Sequence, residues 1–465
     1  MNGIPPSKSV SHLVRTATRF GRASAARLIV ATAMTCIGLM AAGTAFAETT
    51  VFRNFALIAG RGGPALPDYA MVVTDGRIIW IGAAAQAPSK GEAVDLAGKF
   101  VIPGLIDTHI HLGNVHDLTQ DEKFYTRENV EADLKTYASY GFTSVAIMGT
   151  DKDAIFSIRN SERSGRATTT RLFTAGQGIV FRGGYGGVPG INRAVATAKE
   201  AATEVDAQAA KGADYIKFWL DDELATMPKM PPEISQAVID TAHRHGLKAF
   251  AHIFYLEDAK RLVAQGVDGF VHSVRDQPVD KALTDAMKQR GVVQVAGTLS
   301  REAAIYAYAK TAPQLSDPFF QQSLSPNALA MLSSPERQRT VAAGAAYPKL
   351  PGFFDTAMTN MKALAAAGVR YGLGTDSGPP GRVSGYSGHW EMELMVRDGF
   401  SPGQVIQAAT AEGAAVLGAK DIGTLELSKW ADFVVLDANP LSDIKNSRSI
   451  SAVYIAGRKV PSVVR

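Results

Sequence analysis

One cysteine, Cys36, is all that the 465 residues contain, and it falls in an N-terminal segment that reads as an address. That segment also lacks acids. Lys8, Arg15, Arg19, Arg22 and Arg27 precede an apolar run from Leu28 to about Met40, and Ala45-Phe46-Ala47 supplies a small-x-small cleavage pattern. A secretory signal over residues 1–47 is therefore expected, with a periplasmic or secreted product. The apolar run is interrupted by Thr32, Thr35 and Gly38, and it is shorter than the roughly 20 residues of a bilayer span. Ala33-Met34-Thr35 before Cys36 is a poor fit to a lipid-attachment box. With the segment removed no cysteine remains, which excludes disulfides, thiolate metal ligands and a cysteine nucleophile. Any metal has to be held by histidine, carboxylate or a group made from lysine.

A basic excess is missing too. Loss of the five leader charges takes the formal net charge from +4 to −1, leaving no electrostatic basis for binding nucleic acid or an anionic membrane. No later apolar stretch is long enough to span a bilayer. The expected partner is a small-molecule substrate, with homo-oligomerisation open. About 418 residues remain after the leader, and a hydrophobic fraction of 46% suits a large globular core.

Two kinds of pattern divide that remainder. Thr50 to Ala56, Tyr69 to Val73 and the Arg77-Ile78-Ile79-Trp80-Ile81-Gly82 run after Asp75-Gly76 read as short strands with a hairpin turn. Residues 432–437 and 452–458 are strand-like in the same way, so the two ends are expected to build one small β-sandwich domain from residues 48–101 and 419–465. Between them, apolar runs alternate with helical patterns, the mark of βαβ units. The runs are Val101 to Ile106, Thr143 to Met148, Arg171 to Ala175, Tyr215 to Trp219, Lys248 to Ala251, Gly269 to Val271, Val292 to Thr298 and Tyr371 to Thr375. Eight such runs predict an α/β fold with a (β/α)8 TIM barrel over residues 102–418. Ser401, Pro402 and Gln404 open a capped helix that ends near Gly418. Residues 301–351 have weak periodicity and several prolines, which fits helices over the barrel mouth or padding at its edge.

Active sites of such barrels lie at the C-terminal ends of the strands. His109, Lys217, His252, His272 and Asp376 each fall at or just after the end of a run, on five different strands. His109-Ile110-His111 places two imidazoles on one side of an extended segment, a metal grip when other ligands are near and otherwise an ordinary solvated pair. Strand alternation turns Lys217 inward between Ile216 and Phe218. There it is either salt-bridged, with Asp221 or Asp222 as partner, or a reactive amine that takes up carbon dioxide and becomes an anionic carbamate. His243 and His245, late in a helix before Gly246, read as surface or capping residues, and His12 and His116 are not counted as ligands.

The residues Pro103-Gly104-Leu105-Ile106-Asp107-x-His109-x-His111, Lys217, His252, His272, Gly374-Thr375-Asp376 and Ala431-Asp432-Phe433-Val434-Val435-Leu436-Asp437 make the chain resemble the amidohydrolase superfamily. The resemblance covers nearly all of the chain after the leader and is nearest the imidazolonepropionase-like and prolidase-like branches. It implies a binuclear site in which His109, His111 and Asp376 hold one divalent ion, His252 and His272 hold a second, and carbamylated Lys217 bridges them. Zinc suits these ligands, with manganese, iron or cobalt also open. The implied reaction is attack of a metal-bridging hydroxide on an amide or peptide-like C–N bond, in a dipeptide or N-acyl amino acid, with Asp376 moving the proton. A lactone, ester or cyclic-amide hydrolase is the alternative, and a binding protein without turnover a further one. Tyr255 is the candidate oxyanion donor, although prolidase-like relatives place their tyrosine two positions after the histidine, where this chain has Phe254. Arg182, in front of Gly183-Gly184-Tyr185-Gly186-Gly187, together with Arg275 and His389, are candidates for substrate binding or equally for surface and loop roles.

Overall fold

In the computed structural model, which describes residues 48–461, Asp75 and Gly76 both adopt positive φ, 50° and 80°. They join strands Leu66–Thr74 and Arg77–Ala83 as an antiparallel pair. Two left-handed residues give a turn whose twist matches that of the flanking strands. The expected signal segment lies outside the described residues. Among the described residues no helix is long and apolar enough to cross a membrane.

The two ends of the chain share one sheet. Its order is Arg458–Lys459, Ile450–Ile455, Phe433–Leu436, Phe100–Pro103, Thr49–Leu57, Leu66–Thr74, Arg77–Ala83, with Glu92–Asp95 also paired to Thr49–Leu57. Phe433–Leu436 runs antiparallel to Phe100–Pro103. Alternate residues of these strands face one apolar cluster, in which Phe433 stacks on Tyr454 at 4.5 Å and meets the edge of Phe52 at 5.0 Å.

The run expected over Val101 to Ile106 is broken in two. Phe100–Pro103 belongs to the terminal sheet, and Leu105–Ile110 begins the central part of the molecule. The switch is at Gly104, whose amide donates to the Asp432 carbonyl while that of Leu105 donates to Gly141. A Cβ on Gly104 would lie 2.0 Å from Thr143 Oγ1, so only glycine lets the two strands approach. Gly104→Ala is expected to destabilise the protein by about 1–3 kcal/mol through overpacking. A thermal melt checks it against Gly165→Ala, where no atom lies within 4 Å of the added carbon.

The centre is an α/β fold of the TIM-barrel type. Parallel strands lie in two sheets, Arg171–Thr174, Phe142–Ile147, Leu105–Ile110, and Arg193–Val195, Ile179–Phe181, Ile216–Trp219, Ala249–His252, Gly269–Val271, Val293–Ala296. The stretch after Tyr371 is not a regular strand. It touches its neighbours through the isolated parallel bridges Gln294↔Tyr371 and Ile110↔Ser377. Side chains supplement its ladder: the Thr375 amide donates to the His109 carbonyl at 3.2 Å and to Asp107 Oδ1 at 3.1 Å, and Asp107 Oδ2 accepts from the Thr375 hydroxyl at 2.7 Å. Ser401 forms a full capping box with Gln404, and the helical stretch continues through a π segment, Ala408–Glu412, to left-handed Gly418. Residues 299–342 form short helices, three of them opening on proline behind an Asp or Ser cap.

Candidate metal centre

The C-terminal ends of the parallel strands bring four imidazoles into a row. Ring centroids are 5.2 Å apart for His109 and His111, 4.9 Å for His109 and His272, and 4.4 Å for His252 and His272. Asp376 closes one end of the row, with Oδ1 2.9 Å from His111 Nε2 and 3.6 Å from His109 Nε2. His109, His111 and Asp376 each offer one ligand atom within 4.8 Å of the others. Asp376, His272 and Thr298 hold left-handed φ of 54°, 73° and 55°. Strained backbone of this kind persists where the surroundings enforce it, commonly at functional sites.

The polar partners set which nitrogens remain free. His252 Nε2 lies 2.9 Å from Asp221 Oδ2, so its proton goes to the carboxylate and its Nδ1 lone pair is left over. The Thr298 hydroxyl donates to the Gly297 carbonyl at 2.8 Å. It must therefore accept from His272 Nδ1, 2.8 Å away, which leaves His272 Nε2 with a lone pair. His111 Nδ1 lies 2.6 Å from Thr150 Oγ1. Burial keeps the imidazoles neutral, pushing His109 and His272 well below the ordinary range and His252 to about 4. Neutral imidazoles are the form that binds a metal.

Two residues of the cluster lack partners that burial should demand. Both ring nitrogens of His109 and the Nζ of Lys217 have no hydrogen-bond partner, although both residues are buried. Leaving such groups unsatisfied costs about 1–3 kcal/mol each, and more if charged. Lys217 Nζ sits 3.6 Å from the Trp219 ring centroid, and burial pushes its ammonium down to about 7 against the pull of Asp376. The salt-bridge reading of Lys217 finds no support, because Asp221 is taken by His252 and Asp222 by Tyr255 and Lys229. Imidazole and carboxylate donors, an orphaned buried histidine and a lysine able to lose its proton fit divalent metal binding.

Four sequence-predicted residues are placed elsewhere. Tyr255 donates to Asp222 Oδ1 at 2.7 Å beneath Lys229. Arg182 is 61% exposed and pairs with Glu200. His389 is locked in the core between Ser447 Oγ and the Tyr140 carbonyl, both at 2.9 Å, with burial pushing it to about 3. Arg275 is buried, bound to the carbonyls of Ile253 and Ser273 and 3.3 Å from Glu302. None of the four lines the cavity of about 210 Å³ over the imidazoles. Each has a polar group engaged by a neighbour outside that cavity.

Other residues line that cavity, among them Tyr185, Thr150, Arg301 and Arg382. Tyr185 comes from the glycine-rich loop, which lies so close to Trp219 that a Cβ on Gly186 would be 2.4 Å from its ring, and it packs 5.2 Å from His252. Arg382 follows Asp376 by six residues on the glycine-proline turn, so nearness in sequence was an available signal. Arg301 had none, sitting in the weakly periodic region.

A model of the amidohydrolase family matches residues 100–460. The chain belongs to that family. An imidazolonepropionase of Streptomyces avermitilis is 27% identical over 409 residues, spanning 85% of this chain and 87% of its own. Ochratoxinase of Aspergillus niger is 25% identical over 470 residues, spanning 90% and 88%. A solved Xaa-Pro dipeptidase, with methionine bound in its active site, shares the fold at a TM-score of 0.71 and 23% identity, covering 89% of this chain and 99% of that one. This amidohydrolase is therefore an enzyme, a metal-binding hydrolase of carbon–nitrogen bonds.

Proposed function

We propose that this amidohydrolase cleaves the amide or peptide-like C–N bond of a dipeptide or an N-acyl amino acid with two divalent ions, zinc by ligand chemistry. The observation that carries the reading is the partnerless His109 and Lys217 inside a row of four neutral imidazoles. His109, His111 and Asp376 would hold one ion, and His252 and His272 would hold the other. As a carbamate, Lys217 would supply an anionic oxygen donor to the ions. Its Nζ lone pair bonds to the carbon of carbon dioxide and one proton leaves, a step that needs the neutral amine which burial favours.

When bound, the ions supply Lewis acidity toward the carbonyl and acidify water. Asp376 takes the proton of the attacking water on its carboxylate and hands it to the leaving nitrogen. Asp221 and Thr298 fix the orientation and tautomer of His252 and His272. The bridges on either side of residues 371–377 support closure of the parallel strands into an eight-stranded barrel, with the terminal sheet as a separate sandwich domain. The acid-free leader supports export to the periplasm or beyond.

Protein purified without chelators is expected to hold two ions per chain and to hydrolyse members of a dipeptide and N-acyl amino acid panel. Prolonged chelation is expected to abolish turnover, and zinc with bicarbonate to restore it. One ion or none, in protein still inert after metal and bicarbonate, overturns the reading in favour of a mononuclear cyclic-amide hydrolase or a binding protein. Turnover confined to esters or lactones would keep the site and replace the substrate.

A further inference from the structure

Asp376 divides its two oxygens between different tasks. Oδ1 faces His109 and His111, whereas Oδ2 lies 3.2 Å from Arg301 Nε, also contacts the Arg382 guanidinium, and is 4.0 Å from His272 Nε2. Arg301 has a second partner in Glu302, at 2.6 Å, which it shares with Arg275. Arg382 forms no other ion pair among the described residues. Ion pairs join three guanidinium groups, Arg275, Arg301 and Arg382, to Glu302 and Asp376, while the charges of Asp221 and Glu223 act on Arg275, and that of Glu223 also on Arg301, from further away. Once the charge of Asp376 is committed to a metal, Arg382 in the cavity wall is left without another ion pair among the described residues. Mostly buried guanidinium groups call for an anion.

Both arginines are held in place before any ligand arrives. Arg301 stands in the first turn of Leu299–Ala307, and the Glu391 carboxylate accepts from the Leu299 and Ser300 amides at 2.8 and 2.6 Å. Arg382 closes a turn: its amide donates to the Pro379 carbonyl and its carbonyl accepts from the Gly378 amide. Gly378, at φ 111°, approaches His111 so closely that a Cβ would lie 1.9 Å from the His111 carbonyl. The position of Arg382 is therefore tied to that of the His109-x-His111 segment. Arg382 and Pro379 also stand in the wall of an adjoining cavity of about 330 Å³, whose lining includes Leu112, Leu118, Ala132, Asp133 and Leu324.

We infer that Arg301 and Arg382 receive the α-carboxylate of the amino-acid leaving group, and that the side chain of that amino acid enters the adjoining cavity. This rests on the amide-hydrolase reading above. The carboxylate is one carbon from the scissile nitrogen, so its receptor must adjoin the metal residues, and these two arginines touch Asp376 itself. A planar guanidinium can hold a carboxylate through two parallel hydrogen bonds, which a neutral carboxamide does not reproduce.

The test compares an N-acetyl amino acid with its carboxamide on the metal-loaded enzyme. Wild type is expected to favour the acid in kcat/KM by on the order of 10²-fold or more. Arg382→Gln is expected to bring that ratio near one, and Arg382→Lys to leave it in between. Ala132→Phe, in the lining of that cavity, is expected to shift preference from bulky toward small leaving amino acids. Calorimetry with the free amino acid and its amide reads the same discrimination without turnover. Equal use of acid and amide by wild type overturns the inference while leaving amide hydrolysis intact. An unchanged ratio in Arg382→Gln overturns it as well. If neither compound is hydrolysed the amide-hydrolase reading fails instead, and calorimetry still decides the arginines: preferential binding of the acid that Arg382→Gln abolishes upholds them, and its absence overturns them.

Discussion

Asp376→Asn is expected to lower kcat/KM by on the order of 10³-fold or more, because one isosteric change removes three things together. The amide cannot accept the proton of the attacking water, a role generally worth about 10²–10⁴-fold. It is a weaker ligand beside His109 and His111, which stand 3.6 and 2.9 Å from the present carboxylate. It also withdraws the charge that faces Arg301 and Arg382. Steady-state kinetics with metal analysis on the same sample separates these losses. Reduced activity at full metal content, with the preference for acid over carboxamide retained, assigns the proton role, and reduced metal content assigns the ligand role. Full metal content with unchanged turnover would remove Asp376 from both.

Lys217→Ala is expected to cost one of the two ions and most of the activity, again on the order of 10³-fold on the scale of losing a group essential to activating water. The truncation removes the amine that would form the carbamate and opens space beside Trp219. Short carboxylic acids are therefore expected to restore part of the activity by standing in for the missing bridge. Lys217→Met fills the same volume without a nitrogen and should show no such rescue. In metal-free protein the methionine variant is expected to melt at or above wild type, since it removes a buried amine without a partner. Two tightly held ions and full turnover in Lys217→Ala would sink the bridge.

Much of the site was legible because its signals are local. His109-Ile110-His111 needs only strand alternation to place both rings on one side, and Lys217 needs only Ile216 and Phe218 to be turned inward. Ser401, Pro402 and Gln404 specify a helix start from bonds spanning three residues. The errors have the opposite character. Val101 to Ile106 reads as one apolar run because nothing in those residues reports that Asp432 and Gly141 compete for the backbone at Gly104. The stretch around Arg301 lost its periodicity because helices of four to nine residues end before a 3.6-residue repeat can accumulate. His389 and Arg275 were open to a substrate or a structural role; His389 bonds to residues 58 or more positions away, and Arg275 bonds to the carbonyls of Ile253 and Ser273 and pairs with Glu302.

The sequence by itself determined the residue types of the candidate ligands, their placement at the ends of apolar runs, and the presence of a single cysteine, Cys36, outside the described residues. These follow from residue chemistry and from periods of two and 3.6, which involve only near neighbours along the chain. Only the tertiary structure decided which polar groups were already committed. It assigned Asp221 to His252, left Lys217 and His109 without partners, and aimed Arg301 and Arg382 at Asp376. A hydrogen bond or ion pair depends on approach within about 3–4 Å, and that distance is set by the packing of segments far apart in the chain.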